Sequence, residues 1–158
     1  MSTLNYGKES PAAYKALFGL EEAVKATALE KSLIDLVKIR VSQINGCLLC
    51  IDMHIKEAKI KGEKELRIHH LVAWHESPLF TPREKAGLEW AEKVTRISNG
   101  VPIEDLQKLL QHFTEKEVSD LTFAVVTINA WNRFGIAFHG EPGSYDKLLG
   151  LDKAGLSA

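Results

Sequence analysis

Residues 29–60 of the chain read LEKSLIDLVKIRVSQINGCLLCIDMHIKEAKI, a helical pattern that is interrupted once. The first half repeats apolar residues at the spacing of one buried helix face, namely Leu29, Leu33, Leu36, Val37, Val41 and Ile44. Asn45-Gly46 predicts the end of this helix, because glycine readily takes the left-handed conformation that closes helices. A second helix is predicted from about Cys47 to Gly62. The pattern therefore predicts two consecutive helices.

Helix-starting signals recur on both sides of this stretch. They are Ser10-Pro11, with Gly19 as the expected end of that helix, and three capping boxes, Thr27/Glu30, Thr81/Glu84 and Thr114/Glu117. The sequence contains no strand-like alternation of useful length. We therefore expect an all-α fold of six to eight helices that forms one domain over residues 1–158.

The composition narrows the classes of function. The chain has 158 residues, of which 45% are hydrophobic, and a formal net charge of −1. A balanced charge gives no electrostatic reason to expect a nucleic acid or an anionic membrane as partner. No apolar run is long enough to span a bilayer, and Met1–Pro11 does not resemble a signal peptide. We expect a cytoplasmic protein with no cofactor.

Both cysteines of the chain, Cys47 and Cys50, lie at the start of the second predicted helix, and His54 follows one turn later. At about 100° per residue, Cys50 is about 60° from Cys47 and about 40° from His54, so all three share one helix face. The free N–H groups of a first turn favour an anion, which lowers a thiol pKa. A pair so close in sequence closes too short a loop to stabilise the fold much. Chemistry is therefore the better explanation for this pair.

This arrangement suggests a redox cycle. A thiolate at Cys50 can attack a peroxide O–O bond or another disulfide, and attack on a peroxide leaves a sulfenic acid. Cys47 can condense with that sulfenic acid to form a disulfide, which a partner dithiol must reduce. His54 can accept or donate the proton of Cys50. Cys47 is nearer the helix end, so we expect it to be the more exposed sulfur, where the reductant attacks.

The two cysteines are also compatible with roles that involve no redox cycle. They could be buried small hydrophobic residues, or they could bind zinc together with His54, although structural zinc sites usually have four ligands. A thioredoxin-like site belongs at a strand-to-helix junction, which the flanking helix argues against. Covalent haem is excluded, because Ile51 stands where that motif needs histidine.

The motif from Arg40 to His54, read as RVSQINGC-x-x-C-x-DMH, resembles the alkylhydroperoxidase D-like branch of the carboxymuconolactone decarboxylase superfamily. The similarity continues through Trp74-His75-Glu76-Ser77-Pro78, Phe80-Thr81-Pro82-Arg83-Glu84, Leu88-Glu89-Trp90-Ala91 and Asn129-Ala130-Trp131-Asn132-Arg133. It covers the chain from about Leu33 to Phe138, which makes it far more specific than the cysteine spacing alone.

The resemblance implies an all-helical protein that assembles as a homo-trimer or homo-hexamer. It implies that Cys50 is the peroxidatic thiol, that Cys47 is the resolving thiol and that His54 belongs to the site. It also places an acidic residue, usually glutamate, twelve positions before the first cysteine, where this chain has Asp35. Asp35 could orient His54 or relay its proton through water.

These observations favour a thiol-dependent peroxidase, with a hydroperoxide as substrate and a dithiol as reductant. The alternative is a protein disulfide oxidoreductase or redox sensor that exchanges with protein partners and has little peroxidase activity. A non-enzymatic oligomeric binding protein is the third hypothesis. Self-association is expected in each case, because the predicted helix from Glu115 to Phe138 is apolar over more than one stripe.

Overall fold

The computed structural model of the protein describes residues 4–156. Two segments of the predicted domain lie outside the described residues. They are Met1–Thr3, in the N-terminal stretch, and Ser157–Ala158. Residues 4–156 contain no β-strand and form nine α-helices: α1 (Tyr6–Glu9), α2 (Pro11–Lys25), α3 (Lys31–Asn45), α4 (Leu48–Ile60), α5 (Glu65–His70), α6 (Pro82–Thr95), α7 (Ile103–Leu109), α8 (Glu115–Ala137) and α9 (Asp146–Leu149). The predicted all-α class is confirmed. Two of the nine helices, α1 and α9, are single turns of four residues.

Helix α3 is the centre of the fold and contacts α4, α6 and α8. Its middle is buried on every side, which an amphipathic surface helix would not be. The buried side chains include two charged residues, Asp35 and Lys38. Both belong to the surroundings of the site described below.

Local helix signals predicted three starts correctly and two boundaries wrongly. Helix α2 begins at Pro11 after Ser10, as predicted. Both Thr81 and Thr114 form the predicted capping boxes. Gly19, in contrast, lies inside α2 rather than at its end, because the next turn buries Val24, and packing outweighs a glycine cost of about 1 kcal/mol. Thr27 does not cap α3, since its hydroxyl donates to the Val24 carbonyl at the end of α2.

The turn between α3 and α4 sets the position of the site. Gly46 takes the left-handed conformation with φ of 71°, and the N–H of Cys47 donates to the Ser42 carbonyl at 3.0 Å. This closing pattern ends α3 and makes Cys47 the N-cap residue of α4. Helix α4 therefore has a cysteine at its N-terminal end, and it packs along α3.

Within residues 4–156, no helix combines the length and the apolarity that crossing a bilayer requires.

Candidate active site

The first turn of α4 brings the two thiols together. The Sγ atoms of Cys47 and Cys50 lie 2.6 Å apart, and both cysteines are free. A disulfide has an S–S distance of about 2.05 Å, so small side-chain rotations suffice to close the bond. The predicted pairing of these residues on one helix face therefore has the geometry that reversible oxidation requires. We call this pair the dithiol.

Neither sulfur is at the surface of the protein. Cys47 is 1% exposed and Cys50 is 5% exposed. The expectation that Cys47 is the more exposed thiol is therefore wrong, because helix α8 covers the N-terminal end of α4. A small substrate can reach such a pair more readily than a folded protein can.

The two thiols titrate in opposite directions. The hydrogen bond between them, with a smaller contribution from Asn132, outweighs burial and lowers the pKa of Cys47 to about 7. The same hydrogen bond, together with burial and the charge on Cys47, raises the pKa of Cys50. The dithiol thus loses its first proton near neutral pH and keeps the second. This first thiolate lies on Cys47, whereas the sequence suggested Cys50.

Asn132 of α8 supports that thiolate from a fully buried position. Its amide nitrogen donates to the Ser42 hydroxyl at 3.0 Å, and its oxygen accepts from the Asn45 amide at 2.8 Å. Fixed in this way, Asn132 stabilises a negative charge on the dithiol as a neutral hydrogen-bond donor. The sequence motif contained Asn132 but did not suggest this role.

Gly135 lets α8 approach the dithiol. A Cβ atom added at this position would lie 2.7 Å from the Cys47 sulfur and 3.4 Å from the Cys50 sulfur. No real side chain tolerates the first distance without movement. Any residue larger than glycine at this position must therefore displace either the thiol or the helix.

An open cavity of about 450 Å³ adjoins this contact. Its walls include Leu49 and Gly135, which touch the dithiol region, and four aromatic residues, Tyr6, Phe134, Phe138 and Tyr145. The cavity is large enough for a small organic molecule. It therefore offers an approach to the thiols from the side of α1 and α8.

Tyr6 lies in the wall of this cavity and packs against two other aromatic side chains. Its ring centroid lies 4.7 Å from that of Phe134 and 5.2 Å from that of Phe138. Burial, with additional effects from Tyr145 and from Cys50, raises the pKa of Tyr6. Tyr6 therefore keeps its proton at neutral pH and can donate a hydrogen bond in the cavity.

His54 lies one turn beyond Cys50 on the same face of α4, but residues 4–156 contain no hydrogen bond between His54 and either thiol. Its Nδ1 atom instead lies 2.8 Å from the Glu57 carboxylate. His54 is buried, and Glu57 is partly buried. The sequence did not suggest Glu57, although a position three residues after His54 is a helix neighbour and could have been found from spacing alone.

Burial would by itself raise the pKa of Glu57. The hydrogen bond and the charge of His54 outweigh burial, and Lys61 and Lys38 add to their effect. Together they lower the pKa of Glu57 to about 2. Glu57 is therefore a carboxylate throughout the neutral pH range.

Asp35 occupies a different place from the expected one. Its two carboxylate oxygens accept hydrogen bonds from Lys61 Nζ at 2.7 and 3.0 Å. Burial raises the pKa of Asp35, while Lys61 opposes that effect. The structure places Asp35 near His54, whose charge acts on it, but the carboxylate bonded to the imidazole belongs to Glu57.

The site shows no ready-made metal centre. In the part of the chain that the structure describes, no three His, Cys, Asp or Glu side chains converge in a way that could hold a metal ion. The dithiol and the His54–Glu57 pair are instead two separate groups along one helix.

Comparisons with known proteins place the chain in a family. The model of the carboxymuconolactone decarboxylase family matches residues 11–93. The uncharacterized protein YdfG of Bacillus subtilis is 39% identical over 142 residues, which cover 89% of this chain and 97% of YdfG.

Two crystal structures have the same fold. ATU0492 of Agrobacterium tumefaciens, a protein of unknown function named as a candidate AhpD antioxidant defence protein, matches with a TM-score of 0.85 and 40% identity over 90% of this chain and 98% of that one. The alkylhydroperoxidase AhpD core of an uncharacterized peroxidase-related protein from Ralstonia eutropha JMP134 matches with a TM-score of 0.78 and 25% identity, over 87% and 74%. This chain belongs to the carboxymuconolactone decarboxylase family, as an alkylhydroperoxidase D-like member.

Proposed function

We propose that this protein is a thiol-dependent peroxidase in which Cys47 and Cys50 cycle between dithiol and disulfide. The observation that carries the proposal is the contact of 2.6 Å between two free thiols, of which the first loses its proton at a pKa of about 7. A thiol with a pKa near the ambient pH is a good nucleophile, because it is largely ionised without losing its basicity. The adjoining cavity supplies room for an organic hydroperoxide.

The reaction balances with these groups alone and an external reductant. The thiolate attacks the terminal oxygen of the hydroperoxide, the O–O bond breaks, and the alkoxide that leaves takes a proton to become an alcohol. The second thiol then attacks the sulfenic sulfur, which forms the Cys47–Cys50 disulfide and releases water. A partner dithiol reduces this disulfide and is itself oxidised. In this proposal His54, one turn beyond Cys50, takes the first thiol proton and returns it to the alkoxide.

Cys50 is the attacking sulfur in this proposal, and Cys47 is the resolving one. This assignment follows the resemblance, in which the second cysteine of the motif attacks the peroxide. The resting charge lies on Cys47, but a proton has to move only along the 2.6 Å contact for Cys50 to become the thiolate.

Names of related proteins support the reaction class. Both structural relatives described above carry AhpD in their names, and the one from Ralstonia eutropha is called peroxidase-related. Exchange with a protein disulfide is the alternative activity. The burial of both thiols favours a small substrate, because a folded partner must bring its own sulfur into contact with Cys47 or Cys50.

The test is consumption of cumene hydroperoxide with dithiothreitol as reductant, for the natural protein, Cys50→Ser and Cys47→Ser. We expect Cys50→Ser to lose turnover, and Cys47→Ser, mixed with hydroperoxide in the absence of dithiothreitol, to consume one equivalent and stop as the sulfenic acid. The reverse pattern would assign the attack to Cys47. Full activity in Cys50→Ser, or a strongly oxidising disulfide without peroxide turnover in the natural protein, would refute the peroxidase.

We further propose that the protein is a homo-trimer or homo-hexamer. Helix α8 exposes Phe123, Val126 and Ile136, which are 52%, 47% and 45% exposed in the single chain. Such a face is better covered by a second copy than by water. Light scattering that shows only a monomer at micromolar concentration would contradict this assembly.

A further inference from the structure

The proton acceptor of the site depends on a carboxylate that the resemblance did not indicate. His54 contacts Glu57 on its own helix, at 2.8 Å through Nδ1. Asp35, which the family pattern predicts for the role, has Lys61 as its hydrogen-bonded partner. The ion pairs among the surrounding charged groups show which partners are left for His54 and Glu57.

Charged side chains from three elements surround the His54–Glu57 pair. They are Glu21, Glu22 and Lys25 on α2, Asp35 and Lys38 on α3, and Lys61 directly after α4. These six pair among themselves as Lys38 with Glu21, Lys25 with Glu22 and Lys61 with Asp35. Among the described residues, the ion-pair partner of Glu57 is His54.

This pairing pattern gives Glu57 a specific function. A partly buried carboxylate needs a cation or hydrogen-bond donors to offset its lost hydration. An imidazolium at His54 is a cation adjacent to Glu57, whereas the surrounding lysines already have carboxylate partners. The contact with His54 therefore supplies the hydrogen bond that the Glu57 carboxylate needs.

The contact also determines which imidazole nitrogen can act. Because Nδ1 faces Glu57, toward the end of α4, the lone pair that remains for proton transfer belongs to Nε2. Helix side chains lean toward the preceding turn, and in α4 that turn contains Cys50. The contact with Glu57 thus fixes both the tautomer and the ring orientation that proton transfer requires.

We propose that Glu57 is the positioning residue of the site, which orients His54, and that Asp35 does not have this role. The inference rests on the proposed function, since it concerns the proton taken from the dithiol. It extends to any reaction in which the dithiol must ionise, which makes it testable without peroxide.

The experiment measures the rate at which the dithiol reacts with a small aromatic disulfide reagent from pH 5 to pH 9. At pH 6, one unit below the pKa of about 7 at which the first thiol ionises, Glu57→Gln should react about tenfold more slowly than the natural protein, because the base is misplaced. At pH 9 the rates should agree within about twofold, since hydroxide then ionises the thiols. A structural defect would slow the reaction equally at all pH values.

Asp35→Asn is the matched control, because it removes one carboxylate from the same cluster. It should stay within about twofold of the natural protein at every pH. A double-mutant cycle then tests whether Glu57 acts through His54: Glu57→Gln with His54→Ala should be no slower than His54→Ala alone. Glu57→Asp, which keeps the charge, should recover part of the rate and replaces Glu57→Gln if that variant does not fold.

Three results would overturn the inference. These are an unchanged pH profile in Glu57→Gln, a larger loss in Asp35→Asn than in Glu57→Gln, and losses that multiply in the double variant. The same samples separate this failure from that of the proposed function. A natural protein that reacts with the disulfide reagent but consumes no hydroperoxide contradicts the peroxidase and leaves the Glu57 result valid.

Discussion

One face of α4 has two regions with opposite electrostatic character. The dithiol end comprises Cys47, Cys50 and Asn132, and the charged end comprises Asp35, His54, Glu57 and Lys61. At the dithiol end the thiolate is stabilised by a second thiol and a neutral amide. At the charged end, ion pairs surround the histidine.

In the function that we propose, this difference keeps a buried thiol reactive. A lysine next to Cys47 would lower the thiol pKa further, but the nucleophilicity of a thiolate falls as its pKa falls. Neutral donors lower the pKa of Cys47 only to about 7, which keeps a reactive anion at neutral pH. In the mechanism that we propose, His54 and Glu57 move the proton, and His54 lies one turn beyond Cys50. The two groups lie at different positions along α4. The charges that act in proton transfer therefore do not lower the thiol pKa further.

The largest effect is expected from disrupting the packing of the dithiol end. Gly135→Ala places a Cβ 2.7 Å from the Cys47 sulfur and should cost about 1–3 kcal/mol of unfolding free energy, the typical cost of overpacking. Gly19→Ala is the control, since no atom lies within 4 Å of a Cβ there. Gly19→Ala should stabilise the protein by up to about 1 kcal/mol. Urea unfolding measures both, and equal effects of the two substitutions would refute the close approach of α8.

Protonation of Glu57 at the charged end should make the free energy of unfolding fall in acid. The pKa of Glu57 is lowered to about 2, so its ionised form stabilises the fold above its ordinary pKa near 4.5, and that contribution is lost as pH falls toward 2. Between pH 6 and pH 2 the natural protein should lose on the order of 2 kcal/mol relative to Glu57→Gln. The measurement is urea unfolding at a series of pH values.

In the same urea unfolding series, Asp35→Asn should change the pH dependence of stability in the opposite direction from Glu57→Gln. Burial raises the pKa of Asp35, so the natural protein should gain stability relative to Asp35→Asn as pH falls through that raised pKa. Curves for the two variants that tilt the same way would mean that Asp35 and Glu57 share one environment.

A smaller effect is expected from removing the neutral donor. Asn132→Ala should raise the pKa of the dithiol by about one unit, equivalent to about 1.4 kcal/mol, because the thiolate loses the Asn132 amide. Asn129→Ala removes a neighbouring amide that bonds to Thr95 and Asn45 instead, so it should leave the thiol pKa unchanged. Alkylation rates against pH give both values, and a matching shift in Asn129→Ala would contradict a direct role of Asn132.

The smallest effect should follow from Lys61→Met. The Lys61 side chain is 47% exposed, so its ion pair with Asp35 should contribute less than about 1 kcal/mol. The thiol pKa should not change, because Lys61 belongs to the charged end. A shift of that pKa by more than a few tenths of a unit would mean that the two ends are electrostatically coupled.

The helical class and the dithiol could be predicted from the sequence because both depend on local spacing. Periodicity indicated α3 and α4, and two of the three capping boxes form where a threonine and a glutamate three positions apart satisfy each other's backbone N–H groups. Gly19 and Thr27 led to wrong boundaries because α2, which packs against α8, continues beyond its local stop signal. Local signals carry no information about such contacts.

The site was predicted in part for the same reason. Cys47, Cys50 and His54 lie within eight residues, so helix geometry alone places them on one face. The role of Asp35 depended on Lys61, which is 26 residues further along the chain. The role of Asn132 depended on a helix more than 80 residues away, as its hydrogen bond to Ser42 spans 90 positions. These contacts join residues that are distant in the sequence, so only the three-dimensional structure shows them.

The cover over the dithiol has a consequence for synthesis of the protein. Helices α3 and α4 leave the ribosome with both thiols in place, but Gly135 is added roughly 85 residues after Cys50, which takes about 4–17 s at roughly 5–20 residues per second. The wall formed by residues 138–145 is added later still, and the ion pair between Lys56 and Asp146 anchors that end of the chain to α4. A nascent chain therefore presents its thiols uncovered for seconds, so premature oxidation during translation is a hazard that the finished fold removes.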